Sequence, residues 1–198
     1  MRKVISLWVA ISLLLGCMGC HSTPRLEDGT AMTVAKQYNH TPLQELSFEK
    51  AVPIDDGLSY FFFANPYRDD PEYDQYLITN PADVVPNYSE RVSYYAIPKE
   101  VVEDYILDLF VAIDHSAGTD RTVLDGERYL FSGLGGGTNL AGAYLRVYDK
   151  EQTGRNATFL CDMRLFSTDE VWRTQRFTVR YTDEKWKIVS VETLFSKE

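Results

Sequence analysis

All eight prolines lie at or before Pro98, and the hundred residues beyond it contain none. Proline removes a backbone donor and interrupts helices and ladders, so the stretch that lacks it is free to form long regular elements. Within that stretch the apolar spacing changes from a helical period to a period of two. Pro98 to about Ala112 reads as a helix: Glu100, Glu103 and Asp104 suit the positive end of its dipole, and Val101, Val102, Tyr105, Ile106, Leu109 and Phe110 form one stripe. Beyond it Arg128–Phe131, Leu140–Lys150, Asn156–Phe166, Val171–Tyr181 and Trp186–Thr193 alternate as strands. The segments between them carry Gly, Asn and Asp, at Gly133–Asn139, Thr153–Asn156 and Thr182–Lys185. Long strands joined by short turns predict an antiparallel meander. Leu145, Val147, Phe159, Cys161, Met163, Leu165, Phe177, Val179, Trp186 and Ile188 supply its inner face.

The proline-bearing half predicts less regular structure. Residues 17–40 are polar and read as a flexible stalk. Residues 41–97 read as a loop-rich extension, both aromatic and acidic, with a short helix opening at Thr41-Pro42 and a buried strand at Leu58–Ala64. Residues 98–198 then form an α+β domain: one long helix packed on a curved antiparallel sheet of four to five strands. A helix followed by long strands, ending in a Trp-bearing strand after the charged turn Asp183-Glu184-Lys185, resembles the cystatin-like or NTF2-like α+β class. That architecture carries many functions, so the resemblance implies a fold and no activity.

Residues 1–16 carry a different message. Arg2 and Lys3 precede a 12-residue run, Val4 to Leu15, that is apolar apart from Ser6 and Ser12. This is the layout of a signal peptide, and it falls short of the ~20 residues a membrane-crossing helix needs. Leu14-Leu15-Gly16-Cys17 resembles the lipobox of bacterial lipoproteins. The resemblance implies cleavage before Cys17, a diacylglyceryl group on its thiol, and a palmitate-type anchor on the extracytoplasmic face of a membrane. Cys20 fits the pattern poorly, and the alternative is an ordinary signal peptide cut near Gly19. Loss of residues 1–16 leaves 18 basic against 29 acidic side chains. Such a body is repelled by anionic headgroups, so membrane association rests on the lipid. The same acidity argues against nucleic acid as a partner. Of the remaining cysteines, Cys161 sits at an inner-face position as a small hydrophobe, and a bridge to Cys20 is the other reading.

No motif requires a metal or cofactor. The run Ser132–Thr138 is Gly-rich but lacks the Gly-Lys-Ser/Thr of a phosphate loop, and a strand follows it. Asp69, Asp70, Glu72 and Asp74 crowd together, yet Gln75 and Pro81 stand where a calcium loop needs Gly and Glu, leaving a solvated acidic loop. Asp114-His115 suggests acid–base work, although adjacent side chains rarely face each other. Two surfaces remain. Arg146, Arg164, Arg176 and Arg180 share the sheet face opposite the apolar residues, with Tyr144, Tyr148 and Asp162; they either pair with the acidic amino-terminal half, form cross-strand ion pairs, or grip an anionic ligand. Tyr67, Tyr73 and Tyr76 stand among loop carboxylates, as in a glycan or peptide contact surface, or else cover the sheet. The expectation is a non-enzymatic binding module for an envelope glycan, peptide or protein, using Tyr67, Tyr73, Tyr76, Arg146, Arg164 and Arg176. Its rivals are a cell-wall hydrolase inhibitor presenting Gly133–Asn139, and a pocket enzyme of the NTF2-like class with Asp114, His115 or Asp162 as acid or base.

Overall fold

The computed structural model describes residues 23–39, 48–64, 71–85, 89–117, 123–132 and 142–197. The chain is mixed α and β. In order it forms α1 (Asp28–Asn39), β1 (Val52–Pro53), α2 (Ile54–Ala64), 3-10 turns at Pro71–Tyr76 and Pro81–Asp83, β2 (Tyr94–Pro98) and α3 (Lys99–Leu109). Then come β3 (Ile113–Asp114), a 3-10 turn at His115–Ala117, β4 (Val123–Leu124), β5 (Arg128–Ser132), β6 (Ala143–Thr153), β7 (Asn156–Leu165), β8 (Val171–Thr182) and β9 (Lys185–Ser196).

Strands β6 to β9 form the expected antiparallel meander, each pairing with its chain neighbour. Asp183 and Glu184 both adopt positive φ (50° and 62°) in the β8–β9 turn, a two-residue loop whose twist matches that of the strands it joins. Alternation puts Leu145, Ala157, Phe159, Cys161, Met163, Phe177, Val179, Trp186 and Ile188 inward, all buried. Phe159 and Phe177 stack at 4.9 Å between ring centres. Each ring contributes about 2–3 kcal/mol by leaving water.

Four expectations need correction. First, the long helix is one of three described helices of similar length, with 12, 11 and 11 residues. Second, β5 leaves the meander and pairs with β2 and β4 in a separate three-stranded sheet. Third, Leu58–Ala64 is helical, not extended. Its seven residues were too short a window: read from Ile54, the buried positions Ile54, Gly57, Leu58 and Phe61 recur at helical spacing, and Asp55 and Asp56 stand in the first turn. The helix expected to open at Thr41 falls largely outside the described residues.

Fourth, residues 28–39, assigned above to a flexible stalk, form α1 and join the core. Ala31, Val34, Ala35 and Tyr38 bury one face, and the Tyr38 ring stands edge-on to Phe177 (5.4 Å) and Phe110 (6.4 Å). The Gln152 side chain accepts the Leu26 N–H at 2.8 Å, pinning the entry to α1 against β6. On the other side of the sheet, Phe48 exchanges two backbone hydrogen bonds with Val191 (3.0 and 3.2 Å), and the Val111 N–H donates to Ile188 (2.9 Å). These short pairings cover part of the β9 edge, which would otherwise present open hydrogen-bonding groups. One hydrophobic cluster therefore runs from Leu26 to Val191. Among the described residues no helix is long and apolar enough to cross a membrane.

Candidate ligand-binding groove

Proline starts the turn Pro71–Tyr76, and its tight winding brings the Tyr73 and Tyr76 rings edge to face at 5.5 Å. The turn is clamped to β2 by the Ile78 N–H, which donates to Tyr94 O at 2.9 Å. Opposite lies α3. Residues four apart on a helix stand above one another, so Val101 and Tyr105 make one row and Asp104 and Asp108 another beside it. The Tyr105 hydroxyl donates to the Ala64 carbonyl at 2.8 Å, and its ring abuts Tyr60 and Phe61, which fixes it against α2. Burial first, then neighbouring Tyr105, push the Tyr60 hydroxyl far above the usual phenol range. Between turn and helix opens a groove of about 560 Å³, lined by Tyr73, Gln75, Tyr76, Val101, Asp104, Tyr105 and Asp108. Lys185, at the start of β9, pairs with Asp108. Asp104 is exposed, and its carboxylate makes no hydrogen bond or ion pair among the described residues.

The arginines lie elsewhere, on the outward face of the meander. Asp162 is buried at 5% exposure although it points to that face. Its Oδ1 accepts from the Tyr148 hydroxyl (2.9 Å) and the Thr174 hydroxyl (2.8 Å), and Arg164 Nε approaches Oδ2 at 3.4 Å. Arg164 also reaches the Asp169 carbonyl at 2.9 Å and its carboxylate at 3.3 Å. Tyr144 donates to Asp169 as well, and that bond, followed by Arg164, holds the carboxyl below its ordinary range. Arg176 pairs with Glu192 at 2.8 Å, and Arg180 donates to the Asn156 side chain at 3.1 Å. Arg146 is exposed and faces Asp162 across the β6–β7 register. Arg176 also borders a second concavity of about 400 Å³, where the bulge between Tyr148 and Glu151 sets the acidic Asp149 and Glu151 opposite it. Ion pairing therefore occupies the guanidinium groups of both, Arg164 along β7 and into the turn that follows it, Arg176 across β8 and β9.

The structure thus brings Tyr73 and Tyr76 together, and separately Arg146, Arg164 and Arg176, but does not join the two sets. Tyr67, Cys17 and the Gly133–Asn139 loop lie outside the described residues. Asp114 and His115 serve different partners: the Ser116 hydroxyl first, then the Ser116 N–H that the Asp114 carboxylate accepts at 2.9 Å, hold that carboxyl below its ordinary range, while the exposed His115 ring lies 3.8 Å from Glu103. Asp162 is held by Tyr148, Thr174 and Arg164, and the space inside the sheet is filled by Tyr38, Phe110, Phe159 and Phe177. Cys161 is a free buried thiol, pushed up to about 12 by burial and then by Asp162.

Sequence reasoning missed the α3 contribution to the groove. By sequence Tyr105 falls in the apolar stripe and Asp104 at the dipole end; the legible signal is the pair of adjacent i, i+4 rows. It also missed Arg173, which is 2% exposed beside the Trp172 ring. Its parity with Gln175, Phe177 and Val179 was the available sign. Comparison of the chain with protein-family models, characterised proteins and solved structures finds no match.

Proposed function

We propose that this chain is a lipid-anchored, extracytoplasmic binding protein whose ligand site is the groove between Pro71–Tyr76 and α3. The observation that carries this reading is the convergence of three tyrosines and two aspartates on a groove of about 560 Å³. Tyrosine supplies a rigid apolar plate with a polar tip, so it buries contact area at small entropic cost. A concavity of that size takes a short peptide or a few sugar rings from the envelope or its surroundings. The anchor follows from Leu14-Leu15-Gly16-Cys17, with two or more acyl chains on Cys17 giving stable attachment at about 0.8 kcal/mol per buried CH₂. The helices packed against an antiparallel meander support a place in the cystatin-like/NTF2-like class.

Two measurements test the reading. Mass spectrometry of the membrane-extracted protein is expected to find an acylated Cys17 at its amino terminus, and Cys17→Ser to leave the protein unacylated. Immobilised protein is expected to retain a component of envelope extract, with Tyr73→Ala plus Tyr76→Ala weakening retention at least about tenfold and Arg146→Ala leaving it unchanged. Retention that ignores the tyrosines would remove the groove from the function.

A further inference from the structure

We infer that the groove takes a basic peptide side chain, a lysine or arginine of a partner polypeptide, with its aliphatic stem along Val101 and Tyr105 and its cationic head at Asp104. This rests on the groove being the ligand site and names what enters it. The two rows of α3 match such a side chain in order and spacing. Lys and Arg lay their methylenes on apolar surface while the charged end seeks a carboxylate, and α3 offers both side by side over one helical turn.

The charges around the groove favour the same occupant. Asp108 already receives a lysine ammonium, that of Lys185. Asp104, one turn earlier on the same row, is exposed and has no such partner among the described residues. Across the groove the Tyr73 and Tyr76 rings meet edge to face; Tyr73 is buried and Tyr76 half-buried, so Tyr76 has the more ring surface to offer as a face to whatever enters. A cation over such a face gains about 0.5–1 kcal/mol at exposed sites. The chain as a whole adds to this field, since it holds 29 acidic against 20 basic side chains. Such a field draws in cations and speeds their encounter. An anionic ligand would meet carboxylates at the groove wall, and a neutral glycan would leave Asp104 without a counter-charge.

The test uses the acylated full chain in neutral detergent and three blocked peptides, acetyl-Ala-Ala-Lys-Ala-amide and its Gln and Glu counterparts. Backbone amide shifts at residues 73–76 and 101–108 report binding. The lysine peptide is expected to bind about threefold to fivefold more tightly than the glutamine peptide, the range of an exposed ion pair, and the glutamate peptide more weakly than either. Asp104→Asn is expected to erase that preference, as is raising the salt from about 0.05 M to about 1 M, where the Debye length shrinks to about 3 Å. Arg146→Ala is expected to leave it intact. Equal binding of lysine and glutamine peptides, both weakened by Tyr76→Ala, would overturn the basic side chain and keep the groove. Peptides that leave the groove amides unmoved, together with envelope retention that ignores Tyr73 and Tyr76, would overturn both.

Discussion

The meander and the amino-terminal half reach one core by opposite routes. Strands β6 to β9 build their sheet by pairing with chain neighbours, through short turns whose residues set the register. The amino-terminal half depends on distant partners: Val52 pairs with Ile113, Phe48 with Val191, and the Leu26 N–H with Gln152. Hairpins close small loops, while these pairings must first bring far residues together and lose more chain entropy doing so. Local closure makes the meander the expected template, with α1 and α3 ordering against it and α2 against α3.

That difference is one of formation, not of worth in the finished fold. Tyr38 of α1 is 1% exposed and Phe177 of β8 is 0% exposed, and their rings touch. Tyr38→Ala and Phe177→Ala are each expected to cost about 3–5 kcal/mol in denaturant unfolding. A Tyr38→Ala cost within about 0.5 kcal/mol, as for a surface position, would return α1 to the status of an appendage.

A smaller effect separates stability from site geometry. A Cβ at Gly57 of α2 would lie 3.0 Å from Ile106 Cδ1 and 3.2 Å from its Cγ2, and Ile106 is fully buried in α3. Gly57→Val is expected to destabilise by about 1–3 kcal/mol through overpacking, less whatever helix propensity it gains. The same helix contact positions Tyr105 through Ala64, so this variant should weaken groove binding more than Val179→Ala in the meander. Equal losses of binding in the two variants would show that the groove tracks overall stability and not the α2–α3 contact.

The same contrast explains what could be read in advance. Each meander strand was legible because a period of two has a single meaning once Gly, Asn and Asp mark its ends; Asn156–Phe166 was expected and Asn156–Leu165 is found. Helix α1 was not, since its stripe is Ala31, Val34, Ala35 and Tyr38, mostly small side chains in a polar setting. Strand β2 and the departure of β5 from the meander depend on a pairing of Tyr94–Pro98 with Arg128–Ser132, about thirty residues apart, for which no local pattern exists. The sites divide likewise. Parity alone puts the four arginines on one face, whereas the pairing of Arg176 with Glu192 depends on the β8–β9 register. Tyr73 and Tyr76 stood out as aromatics, but the α3 wall opposite them lies about thirty residues away.

The smallest expected effects concern carboxylates, and they differ in sign. Turn aspartates are held below their ordinary range by local donors: Asp169 by Tyr144 and then Arg164, Asp183 by Lys187. Such a group is ionised more readily in the folded chain, so its contribution is present above the unfolded pKa near 3.9 and is lost as pH falls through the lower folded value. Asp56 in the first turn of α2 is shifted the other way, by burial first and then by Asp55. Its contribution is present below the unfolded pKa and is lost as pH rises through the raised folded value. Asp169→Asn with Asp183→Asn is therefore expected to flatten the loss of stability on acidification below about pH 4, whereas Asp56→Asn should raise the denaturation midpoint at pH 7 and steepen that loss. Asp169 and Asp183 are exposed, so added salt should shrink their effect more than that of the half-buried Asp56. If Asp56→Asn instead lowers the midpoint at pH 7, its carboxylate serves a partner in the fold, and the helical layer relies on charge as much as the turns of the meander do.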